Sequence, residues 1–167
     1  LIDDAGRAEP LAISTGCAGE PERPAAPPGK SAVFVAKAAS YEADLESILR
    51  RGIQACGLNV KDKNILLKPN LVEFDAATCI NTHVAVIAAA RAAFLALGAA
   101  TVRIGEGPGH RRDTIFLAEE AGYRKGLDRF DPAFTDLNRD DVTLVRNVSH
   151  RGDLYLPNTA LAAVGNV

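Results

Sequence analysis

The sequence predicts an α/β fold: an open, mostly parallel sheet built from βα units, with helices on both faces and an incomplete C-terminal side. Short apolar, β-rich runs alternate with stretches in which apolar residues recur every three to four positions. A glycine follows each helical stretch, where a left-handed cap belongs. Right-handed crossovers between parallel strands would place the helices on the sheet faces.

Composition fits a globular domain and limits the classes of partner. Of 167 residues, 47% are hydrophobic and 24% are charged, which suits one domain with a real core. The net charge of -2 gives no basic field for nucleic acid, and no apolar run is long enough to predict a membrane span. Three cysteines without a CxxC pair predict no disulfide framework or metal cluster, and no cofactor is identified.

The chain divides into a tail and a folded part. Residues 1–30 are rich in Pro, Ala and Gly and predict a flexible tail or linker; residues 31–167 predict the α/β domain, as the N-terminal part of a larger one. Ser14–Cys17 is similar to the end of a lipoprotein signal, although no apolar segment precedes it. Periplasmic or exported and cytoplasmic locations therefore both stay open.

The first elements follow the linker. Ser31–Lys37 predicts a buried strand, and Ser40 is the expected cap of the helix that ends at Gly57. Asn64–Lys68 predicts the next strand, which Pro69 terminates because proline cannot donate to a ladder.

The same plan then repeats. Thr82 is expected to cap an Ala-rich helix over residues 83–97, and Ala100–Gly105 predicts a third strand. Thr114–Ala121 predicts a third helix, closed by Gly122.

The last quarter is less regular. Ala133–Asn138 predicts a fourth strand, and Val142–Val145 with Asp153–Leu156 predict a small antiparallel patch. The apolar run Leu161–Val167 is expected to be an edge strand, or a strand whose partners are missing. An apolar sheet edge of that kind would favour a protein partner or an oligomer.

Polar residues follow three of the predicted strands, so we expect them at one sheet edge, where open parallel sheets bind ligands. The predicted ligand-binding residues are Lys68, Asn70, Gly105, Gly107, Gly109, Arg111, Arg112, Asp136 and Asn138.

The loop Gly105–Thr114 is the centre of this candidate site. Its glycines let backbone N–H groups approach an anion, the next helix adds its positive end, and two arginines supply fork donors for a carboxylate or phosphate. The loop lacks a Walker pattern and a full dinucleotide fingerprint. Binding of an anionic small molecule and a bare change of chain direction are the two interpretations.

Individual side chains of the candidate site also have two interpretations each. His110 is the candidate catalytic residue, as a general acid or base, or it is an exposed histidine. Lys68 binds the anion or is a solvated strand end. Glu106 and Asp113 bind a metal or orient His110, but we favour an Arg partner for Glu106 and a helix-capping role for Asp113, so no metal site is predicted.

Three strings resemble the bacterial "domain of unknown function 362" family, in its N-terminal α/β portion. They are LLKPNLVE at Leu66–Glu73, Asn81-Thr82-His83, and GAATVRIGEGPGHRRD at Gly98–Asp113 with Asp136-Leu137-Asn138 beyond it. The resemblance covers residues 31–160 and implies an α/β fold, further strands and a Lys-x-His segment. Some members also carry a ferredoxin-like cysteine run, which these residues do not contain, and many look exported.

A shorter likeness joins Gly109-His110-Arg111 to a turn of the nickel-dependent lactate racemases, and it implies proton transfer by His110.

Two functions follow from the sequence. The first is an enzyme that binds an anionic small molecule, with His110 transferring a proton. The second is a non-catalytic, truncated domain that acts as a subunit or binding module in an assembly.

Overall fold

The computed structural model describes residues 32–149 and 152–163; the predicted tail, residues 1–30, lies outside them. The helices are α1 (Leu45–Ala55), α2 (Val84–Ala96), α3 (Thr114–Glu120), α4 (Tyr123–Gly126), α5 (Phe130–Ala133) and α6 (Asn158–Ala163). The strands are β1 (Asn64–Leu67), β2 (Thr101–Glu106), β3 (Phe134–Asp136), β4 (Val142–Ser149) and β5 (Gly152–Pro157). Within the described ranges, every helix is too short or too polar to cross a bilayer.

The predicted fold class is confirmed. Strands β1, β2 and β3 form a parallel sheet in that order, with Leu67 opposite Ile104 and Ile104 opposite Phe134. Strands β4 and β5 form the antiparallel pair that the sequence predicts, with a register shift between Val145 and Ser149.

The core lies against one face of the parallel sheet. Along β2, Val102 and Ile104 are buried, whereas Thr101 and Arg103 are exposed. One buried cluster joins Ile104 to α2, α3 and the aromatic rings of Tyr123 and Phe134. A second cluster joins Val102 to α1 and α2, and α6 contacts β1. Because the three strands are parallel, the loops that follow them lie at one edge of the sheet.

Helix ends combine confirmed and corrected predictions. The predicted left-handed glycines have φ values of 69° at Gly57, 88° at Gly98 and 79° at Gly122. However, Asp44 rather than Ser40 caps α1, and its hydrogen bond from the Ser47 backbone N–H lowers the pKa of the Asp44 carboxyl.

The cap of α2 is also one residue from the expected position. His83 caps this helix, since its Nδ1 atom accepts from the backbone N–H of Ala85 at 3.2 Å. The Thr82 hydroxyl is engaged elsewhere, because it accepts the backbone N–H of Asn70 at 2.9 Å. The His83 ring stacks on Tyr41 at 3.8 Å between centroids.

The predicted strand Ser31–Lys37 is wrong, because residues 32–37 form no strand. Val33 and Val35 are 81% and 87% exposed, and the Phe34 ring fills the space beside Gly52 on α1. A β-rich run becomes a strand only where a neighbouring strand pairs with it, and no such neighbour occurs in the described part of the chain.

The predicted strand Leu161–Val167 is wrong over the residues that the structure describes. Asn158–Ala163 is helical, as its Ala-rich composition favours, and the Asp140 carboxylate accepts the Thr159 backbone N–H at 2.7 Å near the helix start. Residues 164–167 lie outside the described ranges.

Candidate functional site

An ion pair joins β1 to β2 at the carboxyl edge of the sheet. The Nζ atom of Lys68 donates to both carboxylate oxygens of Glu106, at 2.9 and 2.8 Å. The Glu106 side chain is only 5% exposed, whereas the Lys68 side chain is 63% exposed. The expected Arg partner of Glu106 is therefore wrong, because Lys68 follows the adjacent parallel strand and reaches the carboxylate directly.

Glu106 has two further neighbours inside the fold. Its Oε1 atom accepts the backbone N–H of Gly107 at 2.9 Å. Tyr123 is fully buried, and its hydroxyl donates to the backbone carbonyl of Thr82 at 2.9 Å. Burial, together with the negative charge of Glu106, raises the pKa of Tyr123 to about 12. Tyr123 is therefore a neutral hydrogen-bond donor at physiological pH.

A second carboxylate links β3 to α3. Asp136 accepts from the Thr114 hydroxyl at 2.7 Å and from the Asn138 backbone N–H at 3.0 Å. Thr114 is buried, and the Arg139 guanidinium lies 3.6 Å from the other Asp136 oxygen. Asp136 therefore fixes the start of α3 and the loop after β3, which leaves it little capacity to accept from a ligand.

Close packing at two glycines positions the loop Gly105–Thr114. A Cβ atom on Gly107 would lie 2.5 Å from Oδ1 of Asn138, and one on Gly105 would lie 3.0 Å from the Leu137 side chain. The Asn138 amide also donates to the Pro108 carbonyl at 2.8 Å. The glycines here allow the loops after β2 and β3 to touch.

A turn with unusual backbone geometry follows. His110 and Arg111 have φ values of 59° and 57°, in the left-handed region that non-glycine residues rarely adopt. The backbone N–H of Arg112 returns to the Gly109 carbonyl at 3.4 Å. The side chains of His110 and Arg111 are exposed and have no hydrogen-bond or ion-pair partner among the described residues.

The other loop residues are engaged within the protein. Arg112 pairs with Glu73 at 2.9 Å, which ties the turn to the loop after β1. In that loop, the side chain of Asn70 donates to the Ile80 carbonyl at 2.8 Å, so it supports the loop from within.

The start of α3 carries its own carboxylate. Asp113 accepts the Phe116 backbone N–H at 3.0 Å, which confirms the predicted capping role. The Asp113 carboxylate therefore occupies the N-terminus of α3, where the sequence interpretation had placed a bound anion.

The predicted site residues thus lie in the loops at one sheet edge, but they form two groups. Lys68, Asn70, Arg112, Asp136 and Asn138 hold protein partners, whereas His110 and Arg111 have none among the described residues. The sequence interpretation missed the roles of Thr114 and Tyr123. Thr114 directly precedes an apolar run, whereas Tyr123 stands between Gly122 and Arg124, where no local pattern indicates burial. In the described part of the chain, no group of three or more His, Cys, Asp or Glu residues is placed to hold a metal ion.

One comparison with known proteins identifies a family. The profile of the family described as Domain of unknown function (DUF362) matches residues 65–164, which is more than half of the chain. No curated protein and no solved structure matches. The likeness to the nickel-dependent lactate racemases has no support from these comparisons and stays a likeness of one turn.

Proposed function

Because the chain belongs to the DUF362 family, whose description assigns no activity, we propose a function from the loop itself: Gly109–Arg112 binds a small carboxylate or phosphate, and His110 transfers a proton to or from it. The observation that carries the proposal is the pair of consecutive left-handed residues, His110 and Arg111. Left-handed non-glycine residues cost about 1 to 3 kcal/mol each, and such strain is concentrated at functional sites.

The turn offers donors that nothing else in the described chain uses. The backbone N–H groups of Gly109, His110 and Arg111 have no acceptor among the described residues. The Arg111 guanidinium adds a planar fork for a carboxylate or phosphate. The nearby Lys68, Arg112 and Arg139 already have carboxylate partners, so Arg111 supplies the uncompensated positive charge.

His110 stands next to that charge at the tip of the turn. An imidazole exchanges protons near neutral pH, which suits it to general acid or base catalysis. A 2-oxo carboxylate such as pyruvate, held by Arg111 through its carboxylate, would present the C–H bonds next to its ketone group to the adjacent imidazole. Arg111 would thus bind the substrate, and His110 would abstract or return a proton at the carbon next to the ketone.

Binding is tested by titrating the ¹⁵N-labelled chain with pyruvate and inorganic phosphate. We expect saturable shifts of the amide signals from Gly109 to Arg112, and at least about tenfold weaker binding in Arg111→Gln. Arg51→Gln is the matched control, since Arg51 is exposed on α1 and its side chain forms no hydrogen bond or ion pair with the described residues. Equal affinities in the wild type and Arg111→Gln would mean that the turn binds no anion.

Proton transfer is tested separately with pyruvate in D₂O. The wild type is expected to accelerate deuterium incorporation into the methyl group, and His110→Gln is expected to lose this acceleration while it retains pyruvate binding. Incorporation at equal rates in both proteins would remove His110 from the mechanism.

A further inference from the structure

A second positively charged site lies at the opposite edge of the sheet, where the strands begin. A cavity of about 360 Å³ is lined by Arg91, Arg103 and Arg129, with Leu95, Val102 and Pro132 among the apolar residues around them. Its volume falls at the lower end of the range for small-molecule pockets. None of its lining residues belongs to the loop Gly105–Thr114, so this site is independent of the proposed function.

The register of the sheet explains why there is space here. Strand β2 pairs with β3 only from Ile104 onward, so its outer side stays open over Thr101–Arg103. The short helix α5 leads into β3 and closes part of the opening with Pro132. The cavity thus lies between α2, the first half of β2 and α5.

Burial of part of the Arg91 side chain costs free energy that the described residues do not offset with a hydrogen bond. It is the single charged residue of α2, whose other twelve residues are apolar. Its Nε atom is buried and has no hydrogen-bond partner among the described residues. A buried guanidinium donor without an acceptor is unfavourable, so this position favours an acceptor from outside the protein.

The two other arginines differ in what they contribute to the cavity. Arg129 has a φ of 54°, and its side chain has no partner in the described part of the chain. Arg103 lies on the face of β2 opposite Val102, where its guanidinium donates to the Thr135 hydroxyl at 3.0 Å. No Asp or Glu is among the described lining residues, and Asp128, the chain neighbour of Arg129, is exposed and does not line the cavity. Arg91 and Arg129 thus bring two guanidinium groups to one cavity that has no carboxylate among its described lining residues.

From this arrangement we infer that the cavity binds a small phosphomonoester. Arginine forks match phosphate oxygens, and a dianion compensates more of the positive charge than a single carboxylate does. Leu95, Val102 and Pro132 would contact a short apolar part of the same molecule. The ligand class is therefore a phosphate group on a small organic residue.

The test is a calorimetric titration of the full chain with butyl phosphate, and with pentanoate as a carboxylate of similar length. The wild type is expected to bind butyl phosphate saturably and at least about tenfold more tightly than pentanoate. Absence of saturable binding, or equal affinity for the two probes, would overturn the assignment to a phosphomonoester.

Variants locate the binding. Arg91→Gln and Arg129→Asn are each expected to weaken butyl phosphate binding by at least about tenfold. Asn tolerates the left-handed backbone of position 129, so the second variant keeps the test decisive if the first one folds poorly. Arg50→Gln, which removes an exposed charge from α1, is expected to leave the affinity unchanged. Because the proposed function gives the loop an anion site of its own, the titrations are repeated in the Arg111→Gln background. Butyl phosphate binding that persists there and is weakened by Arg91→Gln assigns the ligand to the cavity, whereas its loss in Arg111→Gln would place butyl phosphate on the loop and overturn the cavity site. Loss of pyruvate binding alone in Arg111→Gln would concern only the proposed function.

Discussion

Lys68 and Glu106 form an ion pair in which only one partner is buried. The ammonium group lies within 2.9 Å of both carboxylate oxygens, yet the lysine side chain is 63% exposed and the glutamate side chain 5%. Removal of the lysine leaves a buried carboxylate with the Gly107 backbone N–H as its remaining hydrogen-bond donor among the described residues. The two members of the pair are therefore not equivalent.

Lys68→Met is expected to lower the free energy of unfolding by about 2 kcal/mol, because an uncompensated buried charge costs more than the ion pair itself contributes. Urea unfolding measures the change. Lys125→Met, at an exposed lysine without a partner among the described residues, is the control and should change the value by less than about 0.5 kcal/mol. The double variant Lys68→Met/Glu106→Gln also removes the buried charge, so it should recover part of the lost stability. A double variant less stable than Lys68→Met would contradict this account.

Gly107→Ala is expected to destabilise the protein by about 1 to 3 kcal/mol, because the new Cβ atom would lie 2.5 Å from Oδ1 of Asn138. Asn138 cannot move without losing its hydrogen bond to the Pro108 carbonyl. Gly109→Ala is the matched control: a Cβ atom there meets nothing within 4 Å, so its stability should stay within about 0.5 kcal/mol of the wild type. Thermal unfolding of the two variants compares them directly, and equal melting temperatures would show that the two loops do not touch.

Tyr123 predicts a loss of stability at alkaline pH. Its pKa is raised to about 12 in the folded protein, chiefly by burial, and the usual value of about 10 returns on unfolding. Between these values the folded state binds more protons than the unfolded state, so this contribution to stability is complete below pH 10 and decreases as the pH rises towards 12.

Tyr123→Phe isolates that contribution. At pH 9 the wild type should be more stable by about 1 kcal/mol, because the variant lacks the hydrogen bond to the Thr82 carbonyl. At pH 11 the wild type should have lost about 1 kcal/mol of this advantage. The difference between the two urea midpoints cancels every contribution that the wild type and the variant share. A difference that does not change with pH would contradict the raised pKa.

The sequence correctly predicted the three strands of the parallel sheet and wrongly predicted a strand at Ser31–Lys37, for one physical reason. Strands β1, β2 and β3 each lie next to a helix whose apolar face covers them, so hydrophobic periodicity carries the information. Residues 32–37 have the same β-rich composition, but a strand also needs a partner, and a local run of residues does not specify one.

The candidate site shows the same division. The placement of its residues after the strands followed from the parallel topology, which sequence spacing predicts. The hydrogen-bond partners of these residues could not be predicted in the same way, because the partners are far apart in the sequence. Lys68 and Glu106 are 38 positions apart, and Thr114 and Asp136 are 22 apart. The left-handed backbone at His110 and Arg111 could not be predicted from the sequence either, because neither residue type indicates that conformation as glycine does.

The two neighbouring arginines of the turn should respond oppositely to glycine. Arg111 has a φ of 57° and no partner among the described residues, so Arg111→Gly relieves backbone strain and should stabilise the protein by about 0.5 kcal/mol after the added freedom of the unfolded chain is included. Arg112 has no positive φ and pairs with Glu73, so Arg112→Gly should destabilise it by about 1 kcal/mol. Urea unfolding of both variants under the same conditions makes the comparison. If Arg111→Gly gains stability and loses pyruvate binding, then the wild-type residue is retained at the expense of stability, as expected of a binding residue. If it loses stability as Arg112→Gly does, then the left-handed turn carries no strain, and the observation on which the proposed function rests is removed.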